Sequence, residues 1–183
     1  MRALLLVDYT YDFVADDGKL TCGKPGQQIE NAICREIEKR IAAGEPVFVL
    51  NDIHCEGDAD HPESKLFPPH NIAGTPGREL YGKVREAIDA AEQAHPELVC
   101  RMDKTRYSSF VRTGLEEKLQ AAGVDTVIVV GVCTDICILH TAIGAYNCGF
   151  SIEIPADAVA SFNPQGHEFA LAHMKNSLGA AIL

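Results

Sequence analysis

The feature that most constrains the fold is an apolar run that leads directly into a glycine and two cysteines. Residues 126–130 read Thr-Val-Ile-Val-Val, and Gly131-Val132-Cys133-Thr134-Asp135-Ile136-Cys137 follows at once. A short run of β-branched residues without polar alternation is typical of a strand buried on both faces, as in parallel sheets. The sequence therefore predicts a buried strand that turns into a helix near the two cysteines.

Similar runs recur along the chain and alternate with segments of helical periodicity. In the clearest helix, Ile29, Ile33, Ile37 and Ile41 are spaced by four residues, and Gly44 closes the segment. The predicted strands are 4–7, 47–50, 98–100, 126–130, 151–154 and 180–183, and the predicted helices are 27–43, 85–94, 115–122, 137–147 and 165–177. This alternation indicates an α/β fold with a doubly wound, mostly parallel sheet of about six strands and helices on both faces, a Rossmann-like three-layer sandwich.

Composition excludes several classes of protein. A chain of 183 residues that is 46% hydrophobic suits a single domain over 1–183, with no composition shift to mark a second. The net charge of −10 argues against nucleic acid or an anionic membrane as partner. The apolar run before Asp8 is too short for a secretion signal or a membrane span. The seven cysteines show no framework spacing, so we expect reduced thiols and a cytoplasmic protein.

Three ionisable side chains follow the ends of separate predicted strands. Asp8 comes after the first strand, Lys104 lies just beyond the third, and Cys137 opens the helix after the fourth. The carboxyl ends of parallel strands meet at one edge of the sheet, where α/β proteins bind ligands. Because a helix N-terminus and a nearby lysine favour a thiolate, Cys137 is a candidate nucleophile. Simpler interpretations are a loop cap for Asp8 and a surface cation for Lys104.

Two residues near Cys137 offer alternatives. Cys133 flanks the same turn, but it ends the strand, where a cysteine is more often buried and inert. His140 follows Cys137 by one helical turn, so a Cys–His dyad is an alternative to a structural histidine on the helix face.

The long segment 51–77 is rich in metal-ligating residue types. Asp52 and His54 are two residues apart at a strand end, which sends both side chains to the same side, and His61, Glu63 and His70 follow. Oxygen and imidazole ligands suit zinc, manganese or iron. The alternative is a solvated acidic loop with incidental histidines. Loops of this length are often functional.

Together these residues resemble the isochorismatase-like cysteine hydrolases, and among them the nicotinamidase branch. The resemblance runs nearly end to end and is carried by 7–13, 61–71, Lys104-x-x-Tyr107-Ser108, 131–137 and 139–142. Asp52-x-His54 with His70 favours the amidase branch, because relatives of isochorismatase itself generally lack this set.

The resemblance implies hydrolysis of nicotinamide to nicotinate and ammonia in NAD salvage, through a thioester on Cys137. In this family scheme Asp8 carries the proton and Lys104 favours the thiolate. The N–H groups of Cys133 and Cys137 form the oxyanion hole. A cis peptide bond between Val132 and Cys133 is also expected.

The resemblance further implies one divalent ion held by a defined set of ligands. Zinc is favoured over manganese or iron. The ligand set is Asp52, His54 and His70, with Glu63 as a fourth ligand, since the stretch 62–70 resembles a bacterial subgroup in which the glutamate binds the metal. Relatives are commonly dimers or tetramers, so we expect a homo-oligomer.

Four apolar residues are expected to form the walls of the substrate pocket: Phe13, Leu20, Phe67 and Tyr107. Many relatives have tryptophan between the metal-binding Asp and His, where this chain has Ile53, and the chain contains no tryptophan. The alternative functions are hydrolysis of another small amide, such as pyrazinamide or a carbamoyl or ureido compound, and a non-catalytic metal-binding or thiol-redox module.

Overall fold

The computed structural model describes residues 1–183 and is built on a seven-stranded sheet. The strands are β1 (Arg2–Val7), β2 (Val47–Asp52), β3 (Val99–Lys104), β4 (Thr126–Val132), β5 (Ser151–Ile154), β6 (Val159–Ala160) and β7 (Ala181–Ile182). Their order is β3-β2-β1-β4-β5-β7, with β6 beside β4, and all pairs are parallel. The predicted α/β fold class is confirmed, with one short strand more than the sequence indicated.

Helices cover both faces of the sheet. They are α1 (Tyr11–Val14), α2 (Lys24–Gln28), α3 (Glu30–Ala42), α4 (Gly82–Ala94), α5 (Leu115–Ala121), α6 (Leu139–Asn147) and α7 (Pro164–Leu178). Strand β1 shows the resulting layers: Leu5 and Val7 belong to the apolar cluster that includes α5, α6 and α7, while Leu4 and Leu6 belong to the cluster that includes α3 and α4. Alternate residues of a strand point to opposite faces, so a continuous apolar run fills two cores at once.

The chain starts at β1, in the middle of the sheet, and builds outward in both directions. Strands β2 and β3 lie on one side of β1, and β4, β5 and β7 lie on the other. The carboxyl ends of β1 and β4 therefore flank the point where the winding reverses, which is where open α/β sheets form a ligand-binding crevice. Asp8 and the Cys133–Cys137 turn follow these two strands directly.

Several predicted boundaries near this crevice were wrong. The helix predicted over 27–43 is two helices, α2 and α3, separated at Ile29. Asp52 and Lys104 are the last residues of β2 and β3 and do not lie beyond them. Cys137 lies in a π-helical turn, Thr134–Ile138, and α6 begins only at Leu139. Because β2 and β3 end in polar residues, the apolar pattern in the sequence stops before the backbone pairing does.

Gly131 allows β4 to approach β1 closely. Its φ is +120°, and a Cβ on this residue would lie 2.0 Å from the carbonyl oxygen of Val7. Only glycine tolerates both the backbone conformation and this distance. The residues after Gly131 are thereby brought against the end of β1.

None of the helices combines the length and the apolar character that crossing a bilayer requires.

Candidate active site

A buried lysine lies between two carboxylates and a thiol. Lys104 Nζ is 2.6 Å from Asp8 Oδ2, 2.6 Å from Asp52 Oδ1 and 3.7 Å from Cys137 Sγ. The register of the sheet produces this arrangement, because Asp52 and Lys104 are direct partners across β2 and β3. The Asp52 N–H also donates to Asp8 Oδ1 at 2.8 Å. The structure thus brings together the three residues that the sequence placed at separate strand ends.

The three charged groups of this cluster determine one another's protonation. Burial, with a contribution from Asp52, raises the pKa of Asp8 to about 6, and Lys104 opposes the rise. Burial also disfavours the charge of Asp52, but Lys104 and His54 outweigh it and lower its pKa. The two carboxylates overcome the burial of Lys104 and hold its pKa well above the usual value. Asp8 is therefore the carboxylate in the cluster whose pKa lies closest to neutrality.

Cys137 differs from the expected thiolate. Burial raises the pKa of its thiol well above the usual value, and Lys104 acts in the opposite direction without compensating. Cys137 lies within the π-helical turn and is only 5% exposed. The sequence analysis identified Lys104, which lowers the pKa of the Cys137 thiol. It could not reveal the larger effect of burial, which raises this pKa. This shift favours the neutral thiol, so attack by Cys137 would require a base.

Cys133 is positioned next to this thiol and offers a free backbone donor. The peptide bond between Val132 and Cys133 is cis, as expected from the family resemblance. The N–H of Cys133 donates to no backbone carbonyl, and the residue lines the same cavity as Cys137. A free N–H facing a reaction centre can stabilise developing negative charge.

A second cluster contains four residues with metal-ligand chemistry. Potential ligand atoms of Asp52, His54, Glu63 and His70 all lie within 4.8 Å of one another. Asp52 Oδ2 and the Nε2 atoms of both histidines are buried and have no hydrogen-bond partner. Unpaired buried polar atoms are costly, whereas one cation would satisfy all three. The set therefore fits a divalent ion.

Backbone contacts orient two histidines of the 51–77 segment. His70 Nδ1 donates to the carbonyl of Pro68 at 2.8 Å, which leaves the Nε2 lone pair for a metal. His61 is not a ligand in this arrangement. Its Nε2 donates to the carbonyl of Thr105 at 2.8 Å, and its Nδ1 accepts from the N–H of Glu63 at 3.2 Å. His61 thus caps the short 3₁₀ helix that carries Glu63.

Two residues that support the metal cluster were missed in the sequence. Asp12 is buried, and its Oδ2 accepts from the N–H of Asn71 at 2.8 Å. The carbonyl of Asn71 in turn accepts from the N–H of His54 at 3.1 Å. Asn71 also has a left-handed φ of +46°, which asparagine tolerates better than most residues. These contacts join distant segments, and no local pattern in the sequence indicates them.

An apolar cavity lies directly over Cys137. The four predicted wall residues, Phe13, Leu20, Phe67 and Tyr107, all line it. Asp52 and Glu63 also reach it, so one cavity borders both the thiol and the metal-ligand cluster. Phe162, which the sequence analysis did not identify, lines it as well.

His140 does not extend this site. Its ring is exposed, and its Nδ1 donates to the carbonyl of Ile136 at 2.7 Å within the same helical segment. The ring contacts Tyr107, with 5.2 Å between the centroids. These contacts favour the structural interpretation of His140 over the Cys–His dyad.

Fold and site together define a parallel α/β protein with a cysteine, an aspartate and a lysine at the switch point of the sheet. The profile of the Isochorismatase domain matches residues 2–183, and the chain belongs to the isochorismatase family. It is 52% identical over 181 residues to the uncharacterized isochorismatase family protein PncA of Bacillus subtilis, covering 99% of this chain and 98% of that protein.

Two solved structures show the same fold. The pyrazinamidase/nicotinamidase of Streptococcus mutans UA159 superimposes with a TM-score of 0.95 at 52% identity, covering 100% of both chains. The pyrazinamidase of Pyrococcus horikoshii in complex with zinc has a TM-score of 0.86 at 30% identity, covering 100% of this chain and 98% of that one.

Proposed function

We propose that this protein is a nicotinamidase, which hydrolyses nicotinamide to nicotinate and ammonia. The observation that carries the proposal is the apolar cavity that is bordered by the Cys137 thiol and by Asp52 and Glu63, two of the four metal-ligand residues. A pyridine ring with a carboxamide has matching chemistry: a ring nitrogen for a metal, a flat apolar body and an electrophilic carbon. The similarity to a pyrazinamidase/nicotinamidase along the whole chain supports the same activity.

The first half of the reaction forms a thioester. Cys137 Sγ attacks the carboxamide carbon while its proton passes to Asp8, the nearby carboxylate with a raised pKa. The bond between carbon and nitrogen then breaks as Asp8 returns the proton to the departing ammonia. Lys104, in contact with both groups, keeps Asp8 ionised before the attack and holds the thiol in place.

Backbone donors stabilise the tetrahedral stage of this reaction. We assign the oxyanion hole to the N–H groups of Cys133 and Cys137, with the unpaired N–H of Cys133 as supporting evidence. Loss of one such donor typically costs about 3 kcal/mol of transition-state stabilisation. In the second half, water attacks the thioester carbon, Asp8 takes the water proton, and the thiolate leaves and is reprotonated.

Asp52, His54, Glu63 and His70 would hold one divalent ion, and we propose zinc. Such an ion would supply a Lewis-acidic centre for a ring nitrogen. The zinc complex of the P. horikoshii pyrazinamidase supports this assignment. The cavity walls Phe13, Leu20, Phe67 and Tyr107 then orient the ring so that the carboxamide faces Cys137, which makes the attack effectively unimolecular.

We also propose that the protein acts in NAD salvage in the cytoplasm, as a homo-oligomer without nucleic-acid or membrane partners. The net charge of −10 supports the absence of polyanionic partners. Size-exclusion chromatography with light scattering tests the oligomeric state, and a monomer at micromolar concentration would contradict it.

The decisive experiment measures ammonia release from nicotinamide by the native protein and by Cys137→Ala. We expect turnover by the native protein, and a loss of at least about 10⁴-fold in the variant, because Cys137 is the thiol in contact with Lys104 and Asp8. Cys133 also lines the cavity, but its thiol is hydrogen-bonded with Cys22. Cys34→Ala, which changes a thiol on α3 far from the site, is the matched control. A panel of pyrazinamide, a carbamoyl compound and a ureido acid separates related amidases. Appreciable hydrolysis by Cys137→Ala, or no turnover of nicotinamide by the native protein, would contradict the proposal.

A further inference from the structure

An exposed aromatic residue lines the mouth of the substrate cavity. Phe162 follows β6 and borders the same space as Cys137, yet the residue is 50% exposed. Its ring therefore has contact with the cavity and with solvent. The other aromatic walls, such as Phe13 and Tyr107, are more deeply placed.

The residues on both sides of Phe162 are fixed to the turn that carries the nucleophile. Ser161 Oγ donates to Asp135 Oδ1 at 2.6 Å, and Asn163 Nδ2 donates to Asp135 Oδ2 at 3.4 Å. The N–H of Asn163 also donates to Ser161 Oγ at 3.2 Å. Asp135 is two residues before Cys137 in the same π-helical turn. The position of Phe162 is thereby coupled to that of the thiol.

The start of α7 strengthens this connection. Thr134 Oγ1 and His167 Nδ1 are 2.8 Å apart and share a hydrogen bond. Gly166 lies so close to Asp135 that a Cβ would be 2.0 Å from Asp135 Oδ2. The loop before α7 and the nucleophile turn are therefore packed together at two points, which holds the backbone of Phe162 beside the cavity.

We propose that Phe162 is a specificity-determining residue that closes the outer side of the cavity over a planar heteroaromatic ring. The inference deepens the proposed function and rests on it. A phenyl ring offers an offset-stacked or edge-on partner to a flat six-membered ring, and it gives no comparable contact to a small aliphatic amide. Phe162 thus selects unsubstituted ring carboxamides and limits the space for larger ones.

The first test compares steady-state kinetics of the native protein, Phe162→Ala and Phe162→Leu. Phe162→Ala should raise KM for nicotinamide about tenfold and change kcat less than about threefold, because binding is lost and the reacting groups remain in place. The preference for nicotinamide over an aliphatic amide should fall by a similar factor. Phe162→Leu keeps apolar bulk and should give an intermediate KM.

Phe169→Ala is the matched control. Phe169 lies on α7, is 61% exposed and stacks on His173 outside the cavity, so its loss should leave KM unchanged. A KM for Phe162→Ala within about twofold of the native value would overturn the inference.

A second measurement separates this inference from the proposed function. The rate of alkylation of Cys137 by N-ethylmaleimide, followed by mass spectrometry of the peptide that contains it, reports access to the cavity without any turnover. Phe162→Ala should accelerate it by about fivefold or more, and Phe169→Ala should not. If the native protein does not hydrolyse nicotinamide, the proposed function fails, and the alkylation rate alone decides the role of Phe162. An alkylation rate in Phe162→Ala equal to that of the native protein would overturn the inference that Phe162 closes the cavity.

Discussion

Lys104→Met gives the sharpest test of the charge cluster. The substitution keeps most of the side-chain volume and removes the one cation between Asp8 and Asp52, each 2.6 Å from Nζ. Breaking a buried ion pair in this way costs about 3–5 kcal/mol, because the remaining charges stay buried without a partner. The variant has one way to limit the loss, which is to bind a proton on Asp8.

The cost of that proton is the smaller part of the effect. Because the native Asp8 already has a pKa of about 6, keeping it protonated at pH 7 costs only about 1.4 kcal/mol more than in the native protein. The larger part comes from Asp52, which stays buried without its cation. We therefore expect a total loss of about 3–4 kcal/mol in the free energy of unfolding, which corresponds to a decrease in Tm of about 6–16 °C.

The dependence on pH has a defined sign. Without Lys104 the pKa of Asp8 rises above its native value of about 6, so the folded variant holds a proton that the unfolded chain has released. Its stability then increases as the pH falls, whereas the native protein gains little until the pH approaches 6. Between pH 7 and pH 6 the difference between the two proteins should shrink by about 1 kcal/mol.

Urea denaturation in the presence of a chelator, at pH 7 and pH 6, measures these differences on metal-free protein. Lys118→Met, which changes an exposed lysine on α5, is the control and should shift the free energy of unfolding by less than about 0.5 kcal/mol. A loss below about 1 kcal/mol for Lys104→Met at pH 7, or a difference that grows as the pH falls, would refute the electrostatic reasoning.

Two other substitutions test separate parts of the structure. His70→Ala should reduce bound metal, measured by elemental analysis, from about one equivalent to a small fraction, because it removes a buried Nε2 with no other partner. His140→Ala, which changes an exposed histidine, is the control and should retain the metal. Full metal occupancy in both variants would argue against the cluster. Gly131→Ala should destabilise the protein by about 3 kcal/mol or more in urea denaturation, since the added Cβ would meet the Val7 carbonyl. Gly44→Ala, at a positive φ with open space around it, should cost only about 1–2 kcal/mol, and equal losses would indicate that the contact with β1 is unimportant.

The fold was largely predictable because its strands are buried on both faces. Runs such as 127–130 contain no polar residue that could conceal them, and they gave the order of the six other strands correctly. The exceptions have a physical reason. Asp52 and Lys104 end their strands as polar residues that serve the site, and β6 has only two residues, which is too short for any periodicity.

The site was predictable in its residues and less so in its chemistry. Asp8, Lys104 and Cys137 could be found because strand ends converge in a parallel sheet and because the family resemblance assigns them roles. The contact between Asp12 and Asn71 spans 59 residues and follows no local pattern. The protonation of Cys137 depends on a balance between burial and one lysine, and that balance exists only in the folded chain.

The buried neutral thiol of Cys137 has a consequence for the lifetime of the enzyme. Peroxide and electrophilic metabolites react with thiolates far faster than with thiols. In the proposed mechanism, a Cys137 thiol that keeps its proton until an amide arrives would therefore be spared this damage between turnovers. We expect the same burial that makes the attack depend on Asp8 to slow oxidative inactivation of the protein.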